Sequence, residues 1–452
     1  MNNHKLLASI LALVCVLLSA CLSPSGGTPG QSVDLPQGIW EGAQEAGEVD
    51  WSMSLHFEGA CTEGIACAKV HYVPCQGDFT FNKEENGELV FTETITDHPD
   101  QCFSGATVGV KYKGQGEPMK LTWYGPDGSA GPTGELTYQD PNASPAPIEG
   151  LGQEIAMLRM PSGGYINFGF SAQDDTLWIP DNPHGTVLRY DISSGDLVAE
   201  MRVGDPTEAT YGDPQTVAVS GDTIWVTQCA EKKLARIDPA TNQIVDSIQL
   251  EVEPYDIAID GETLWVTAFE ASQLLRVNTE TKEIATIKEI GNPLGVAVGG
   301  GAVWVAEHRA GNLVRIDPQD NTIIERIALP DGSTPENVIF AEGAIWVANN
   351  LGHSISRVDP QTNEQTVISF DDRVTRVSAG GGSIWASLWP EEPAEVDLSK
   401  YGLARINPAT NEVVQSFDFP GAAASTYLDG VLWIVDRNDA SGDKIHGIQL
   451  DK

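Results

Sequence analysis

An all-β chain built from a repeated four-strand unit is predicted by three observations in this 452-residue sequence. First, Trp178, Trp225, Trp265, Trp304, Trp346, Trp385 and Trp433 recur at intervals of 47, 40, 39, 42, 39 and 48 residues. Second, the text around each Trp repeats: IWVTQCAEKKLARIDPATNQIVDSIQL, VWVAEHRAGNLVRIDPQDNTIIERIAL and IWVANNLGHSISRVDPQTNEQTVISF are copies of one pattern. Third, each copy alternates apolar and polar residues in short runs between turn residues, without helical periodicity. Four strands per period of about 40–45 residues make a propeller blade. Seven copies predict a seven-bladed β-propeller over residues 151–452.

In the second unit the strands are expected at 216–219, 224–228, 234–237 and 244–250. Arg189, Arg236, Arg276, Arg315 and Arg357 each follow their Trp by eleven residues. In the sixth unit Arg405 is delayed by nine residues, and in the seventh His446 lies near the equivalent position. Asx-Pro turns follow, as in Ile237-Asp238-Pro239 and Ile406-Asn407-Pro408, where Asx side chains favour turn geometry. The Trp is expected to pack between blades, and the Arg to bridge strands or neighbouring blades. The seventh unit ends after three strands. Residues 154–160 resemble the fourth strand of the sixth unit and are expected to complete the last blade, since an open ring leaves a bare strand edge.

The front of the chain reads as an address. Residues 6–20 form an apolar run of 15, short for a membrane span of about 20 residues and suited to a secretory signal peptide at 1–20. Leu18-Ser19-Ala20-Cys21 resembles the lipobox of bacterial lipoproteins, which implies lipidation at Cys21. Residues 21–34 are rich in Gly, Pro and Ser and read as a flexible tether. The expected location is extracytoplasmic, lipid-anchored to the cell membrane or outer membrane. The 26 Lys+Arg against 64 Asp+Glu give a net charge of −38, which disfavours nucleic acid as a partner and charge-driven lipid binding.

Cys61, Cys67, Cys75 and Cys102 cluster in residues 35–140, where β alternation suggests a small antiparallel barrel or sandwich. In an exported segment they read as two disulfides, with three connectivities open. Gly38-Ile-Trp40-Glu-Gly42, Cys75-Gln-Gly77 and Cys102-Phe-Ser-Gly105 resemble a small extracytoplasmic β domain that begins G-x-W-x-G and accompanies bacterial kinases and lipoproteins. That resemblance implies no enzymatic role and a Cys75–Cys102 pairing. It leaves Cys61 and Cys67 as an extra pair. Residues 141–150 are a Pro-rich linker.

Val296-Ala-Val-Gly-Gly-Gly-Ala-Val-Trp304 and Ile345-Trp346-Val-Ala-Asn-Asn350, each followed by an Arg-Ile/Val-Asp-Pro turn, resemble the bacterial YVTN/NHL-like propellers and the virginiamycin B lyase-like superfamily. The lyase resemblance implies His and Glu from neighbouring blades around magnesium, with His as the base of an elimination. Glu307, His308 and His353 are the candidates, although adjacent residues of a strand point to opposite faces.

Residues that differ between copies are the ligand-binding candidates. Three residues beyond each Trp stand Asp181, Gln228, Ala268, Glu307, Asn349, Leu388 and Asp436; one further on stand Asn182, Cys229, Phe269, His308, Asn350, Trp389 and Arg437. Asp181, Gln228, Phe269, Asn349, Trp389 and Asp436 are selected from these rings, with Tyr211 and Tyr255 as added apolar contacts. A flap at 389–401 brings Trp389, acidic residues and Tyr401 over the same face. Cys229 reads as a buried small hydrophobe.

No Ser–His–Asp arrangement, phosphate loop or helical metal motif is visible. The expected function is ligand or protein recognition by a monomer, with a protein, peptide or glycan as partner. No cofactor is required, with Ca or Mg left open. The alternatives are a divalent-metal-dependent lyase or lactone hydrolase, and an architectural cell-envelope scaffold.

Overall fold

The computed structural model describes residues 32–33, 35, 38–46, 49–57, 60–72, 75–85, 87–97, 105–113, 117–124, 128–139, 150–160, 166, 169–204, 213–390, 401–419, 421–437 and 443–450. The expected signal peptide, Cys21, Cys102, Tyr211 and positions 391–400 lie outside them. The chain divides into two compact units, Met1–Pro141 and Asn142–Lys452.

In the first unit Gly38–Ala46, Val49–Phe57, Ala66–Tyr72, Cys75–Glu85, Glu88–Asp97, Thr107–Lys111, Met119–Tyr124 and Ala130–Gln139 run antiparallel, each beside the next. The last returns to the first, with Leu136 opposite Gly42, so the barrel is closed and has no edge. An eight-stranded barrel has an interior that side chains can fill. Phe91 does so here, with ring centroids 6.4, 5.7 and 5.5 Å from Phe57, Phe79 and Phe81. Trp40, the aromatic of the G-x-W-x-G motif, is fully buried and meets Tyr112 edge-on at 5.4 Å. Buried Glu93 accepts a hydrogen bond of 3.1 Å from Trp123 Nε1. Cys61 and Cys67 form a disulfide across Cα atoms 5.1 Å apart. Ser32–Val33, which the sequence assigns to the tether, pairs with Cys61–Thr62. Cys102, the expected partner of Cys75, lies outside the described residues, and with it the Cys75–Cys102 pairing.

The second unit is all-β and consists of seven four-stranded sheets. Blade two shows the pattern: Val217–Ser220 is innermost, then Thr223–Gln228, Lys233–Asp238 and outermost Gln243–Gln249. Each Trp stands on the second strand and packs against the following blade, as Trp225 does against Ile257 and Leu264 and Trp346 against Val374 and Ile384. All seven are buried. Opposite each, on the third strand, stands the Arg: Trp178 faces Arg189, Trp225 Arg236, Trp265 Arg276, Trp304 Arg315 and Trp346 Arg357. Trp385 faces Arg405, so the nine extra residues of blade six leave the register intact. In blade seven Gly447, not His446, faces Trp433, and a Cβ at Gly447 would lie 2.8 Å from the indole.

The Arg stacks on its own Trp, and in blades one, three and four it also reaches the turn Asn of the next blade. Guanidinium-to-indole distances are 4.9 Å for Arg189, 5.5 Å for Arg276 and 5.3 Å for Arg315. Arg189 donates to Asn242 Oδ1 at 2.8 Å, and Arg315 to Asn363 Oδ1 at 3.0 Å. These Asn residues end the Asx-Pro turns. Asp359 Oδ1 accepts from Gln361 and Thr362 N–H at 2.8 and 3.0 Å, which holds its carboxyl below the usual range, and Asn363 follows at φ 59°. Asn tolerates that left-handed backbone better than most residues.

The ring closes where the first and last strands of the second unit meet. Gly152–Arg159 is hydrogen-bonded to Lys444–Leu450 as the outer strand of the last blade, beside Val431–Asp436 and Ala422–Leu428. His446 sits at that seam, its Nδ1 2.7 Å from Glu154 Oε1 and its Nε2 3.3 Å from Asp436 Oδ2. Burial works to lower the imidazole's pKa. The hydrogen bonds and charges of Asp436 and Glu154 outweigh it, and the pKa is raised above its ordinary value.

Deleting residues 151–161 is expected to lower the propeller's unfolding midpoint by about 10 °C or more, because several kcal/mol of edge pairing is lost. The histidine seam adds a pH signature. A raised folded-state pKa contributes stability that is complete below the unfolded value of about 6.5 and is lost as pH rises through the folded value. The stability difference between the wild type and His446→Gln should therefore be larger at about pH 6 than at about pH 9. Denaturant titration at the two pH values measures it.

Candidate functional site

One face of the propeller carries the turns from second to third strands and the connections from blade to blade. There, six of the seven second strands end three residues beyond their Trp, and that of blade six runs one residue further, to Trp389; the residue three beyond the Trp turns into the blade. Asp181 is fully buried, its Oδ2 2.8 Å from His184 Nδ1. Gln228 donates to Val203 O. Asn349 donates to Ser354 Oγ at 3.1 Å and to Ser356 Oγ at 2.9 Å. Asp436 meets His446. Glu307 accepts from Gly291 N–H at 3.1 Å, Asn312 Nδ2 at 2.9 Å and Arg326 Nε at 3.3 Å. These side chains satisfy neighbouring turn, strand and connection groups.

The next residue of each copy points the other way. Phe269, His308, Asn350, Trp389 and Arg437 are half-buried. Four of them take part in two partly buried aromatic clusters, which serve as platforms at the mouth. In blades three and four, Phe269 lies 5.6 Å from Tyr255 and 5.8 Å from His308, with the Arg309 guanidinium 5.6 Å above its ring. In blades six and seven, Trp389 lies 4.9 Å from Tyr401 and 5.7 Å from the Arg437 guanidinium. Trp389 and Tyr401 are the two ends of the flap.

Glu307, His308 and His353 are not brought together. The His308 ring engages Pro335 O at 3.2 Å, and that of His353 engages Asp371 O at 2.9 Å. Glu307 has already spent its oxygens on three donors. Among the described residues no group of three or more His, Cys, Asp or Glu could hold a metal ion. Cys229 is buried, and desolvation, helped by Asp213, pushes its thiol up to about 12, so it is inert at neutral pH.

The channel itself holds charges that the repeat alignment does not pick out. Two positions before the residue facing each Trp, the innermost strands read Gly169, Thr216, Asp256, Gly295, Asn337, Arg376 and Ala424. Asp256 Oδ2 accepts from Val296 N–H at 3.0 Å, and Asn337 Oδ1 from Val377 N–H at 2.9 Å, each joining one blade to the next. Burial pushes Asp256 up to about 6, against its backbone hydrogen bonds and the pull of Arg376. Aligning the first strands as the second strands are aligned would have exposed this ring.

No protein-family model matches the chain, and a search of curated proteins gives no match. Solved structures do resemble it. Virginiamycin B lyase from Staphylococcus aureus is 18% identical with a TM-score of 0.54, covering 65% of this chain and 99% of the lyase. A streptogramin B lyase is 20% identical with a TM-score of 0.54, covering 64% and 95%. The Cps50 (Swd1) propeller domain of Myceliophteria thermophila, 14% identical, reaches 0.51 over 65% and 100%. Such likenesses establish the propeller fold, which hosts unrelated functions.

The two neighbours of blade four should behave oppositely. Glu307→Ala leaves the Gly291 amide without its acceptor and should cost about 1–3 kcal/mol. His308→Ala should cost under about 1 kcal/mol, since it removes a half-buried ring and one hydrogen bond. Equilibrium unfolding of the two variants separates them.

Proposed function

We propose that this is an exported recognition protein, lipid-anchored through Cys21, whose propeller face binds a peptide, protein or glycan. The observation that supports it best is the pair of aromatic platforms, Tyr255–Phe269–His308 and Trp389–Tyr401, set on opposite parts of one face. Aromatic rings with a polar rim and a neighbouring guanidinium suit apolar side chains or sugar faces. The small barrel, filled by its own phenylalanines, serves in this reading as a spacer or second contact.

A lyase is the second reading, favoured by the likeness to the streptogramin lyases. A catalytically inactive histidine-to-alanine variant of the Staphylococcus aureus enzyme is solved with quinupristin. In this chain the equivalent chemistry would need a free carboxylate near His308, and Glu307 is engaged by Gly291, Asn312 and Arg326.

One comparison distinguishes them. The purified chain is applied to peptide and glycan arrays and, separately, incubated with quinupristin and Mg²⁺ under chromatographic detection. Recognition predicts array binding that Phe269→Ala and Trp389→Ala each weaken at least about ten-fold, with quinupristin unchanged. Conversion of quinupristin that is lost in His308→Ala would overturn the reading, as would array binding indifferent to both aromatic substitutions.

A further inference from the structure

Each blade ends in an edge strand, and an unpaired edge is a template for a further strand. Six of the seven edges are blunted. In blades one, two, four, six and seven the outermost strand carries one extra residue as a β-bulge: Val198, Val245, Ile324, Val414 and Ile155 respectively. A bulge disrupts the ladder that an added strand would need. Blade three has no bulge, but its outermost strand Ile284–Lys288 ends in an exposed lysine. A lysine on an edge discourages pairing.

Blade five has neither device. Its outermost strand, Gln365–Ser369, pairs in unbroken register with Ser354–Val358. Among the seven outermost strands it alone has no charged residue. The hydrogen bonds at its two ends show which backbone groups point away. Phe370 N–H donates to His353 O at 2.8 Å, and Asp359 N–H to Glu364 O at 3.0 Å. In an antiparallel pair such bonds recur at every second residue. Residues 364, 366, 368 and 370 therefore bond inward, and Gln365, Val367 and Ser369 turn their N–H and C=O outward. Ile368 anchors the strand in the core shared with blade six, while Val367 is 43% exposed.

The ends of the edge select its partner. Exposed Glu364 and Asp371 flank it. A second copy of the chain, paired antiparallel about Val367, would bring Glu364 of each copy within one position of Asp371 of the other. Like charges so placed are unfavourable, and each copy already carries a net charge of −38. A segment with cations at its ends meets the same two carboxylates favourably.

We propose that the outer edge of blade five takes an extended, basic segment of a partner protein as a fifth antiparallel strand. Its backbone bonds to Gln365, Val367 and Ser369, and its terminal Lys or Arg residues lie near Glu364 and Asp371. Strand addition draws affinity from main-chain hydrogen bonds and specificity from side chains at alternate positions, here an apolar residue beside Val367. The platform residues Phe269 and Trp389 belong to blades three and six, so the edge and the platforms can fail separately.

The test is fluorescence anisotropy on the full chain with the labelled synthetic peptide KKVTVTVKK. Of its controls, KKVTPTVKK keeps the charge and loses the central backbone donor, and EEVTVTVEE keeps the backbone and reverses the ends. The proposal expects saturable binding of the parent peptide, at least about ten-fold tighter than either control. It also expects loss of at least about ten-fold in Val367→Pro, whose missing N–H is an outward one, the position where an edge strand tolerates proline. Each variant's unfolding midpoint is checked. Should Val367→Pro unfold, Val367→Lys replaces it and should weaken binding, because it sets a cation against a cationic segment. No saturable binding, either control peptide binding as tightly as the parent, or equal affinity in folded variants would overturn the proposal. So would sedimentation showing a dimer of the chain that Val367→Pro dissolves, which would assign the edge to a second copy.

Discussion

Blade-to-blade packing through one tryptophan is the constraint on which the propeller depends. A four-stranded sheet of some 20 strand residues buries little by itself. Its apolar faces are covered only by the next blade. Each Trp on a second strand is the largest side chain in its interblade cluster, and truncating such a residue costs about 3–5 kcal/mol. The Arg–Asn link between blades contributes less, about 0.5–1.5 kcal/mol as a hydrogen bond, but it has direction. It ties the third strand of one blade to the turn of the next. The repeated sequence is therefore one device: Trp for burial, Arg stacked on it, an Asx-Pro turn, and a left-handed Asn to receive the Arg. Where the device is missing, something else fills the place. Blade three offers Lys282 in the left-handed position, and blade seven offers Gly447, with the His446 seam nearby.

Because this packing fixes every second strand, it also fixes what its last residues can do. Strand alternation sends the residue three beyond the Trp into the blade and its neighbour toward the mouth. Five of the copies use the inward residue, Asp181, Gln228, Glu307, Asn349 or Asp436, to satisfy turn or seam groups. The outward residue is left to vary with function. Phe269, His308 and Trp389 are such residues, and they make the platforms. The scaffold thus separates its structural positions from its recognition positions by a single step along the strand.

Much of the fold was legible in the sequence because the device repeats. The Trp period, the Arg spacing and the Asx-Pro turns are all local, and each recurs often enough to be read without an alignment. The barrel was narrowed only to barrel or sandwich, because strand patterning does not say whether the last strand returns to the first. Of the site, Phe269, Trp389 and Tyr255 were legible as aromatics at variable positions. Their partition from Asp181, Gln228, Asn349 and Asp436 was not, since the two rings differ by one residue and face opposite ways only where a strand is still regular. Glu307 looked catalytic beside His308 because its three donors, Gly291, Asn312 and Arg326, come from turns and an outer strand. Asp256 and Arg376 stayed hidden for another reason: they lie on blades three and six, and only the closed ring places them in one channel.

The central claim is that the Arg and the turn Asn of successive blades act together. A double-mutant cycle on Arg315→Leu and Asn363→Gly, read by equilibrium unfolding, tests it most directly. Glycine keeps the left-handed backbone at position 363 and removes only the amide that receives Arg315. The account predicts a coupling of about 0.5–1.5 kcal/mol between the two sites. Strictly additive effects would mean that the blades stack through the tryptophans alone, and that the Arg–Asn link carries no part of the ring.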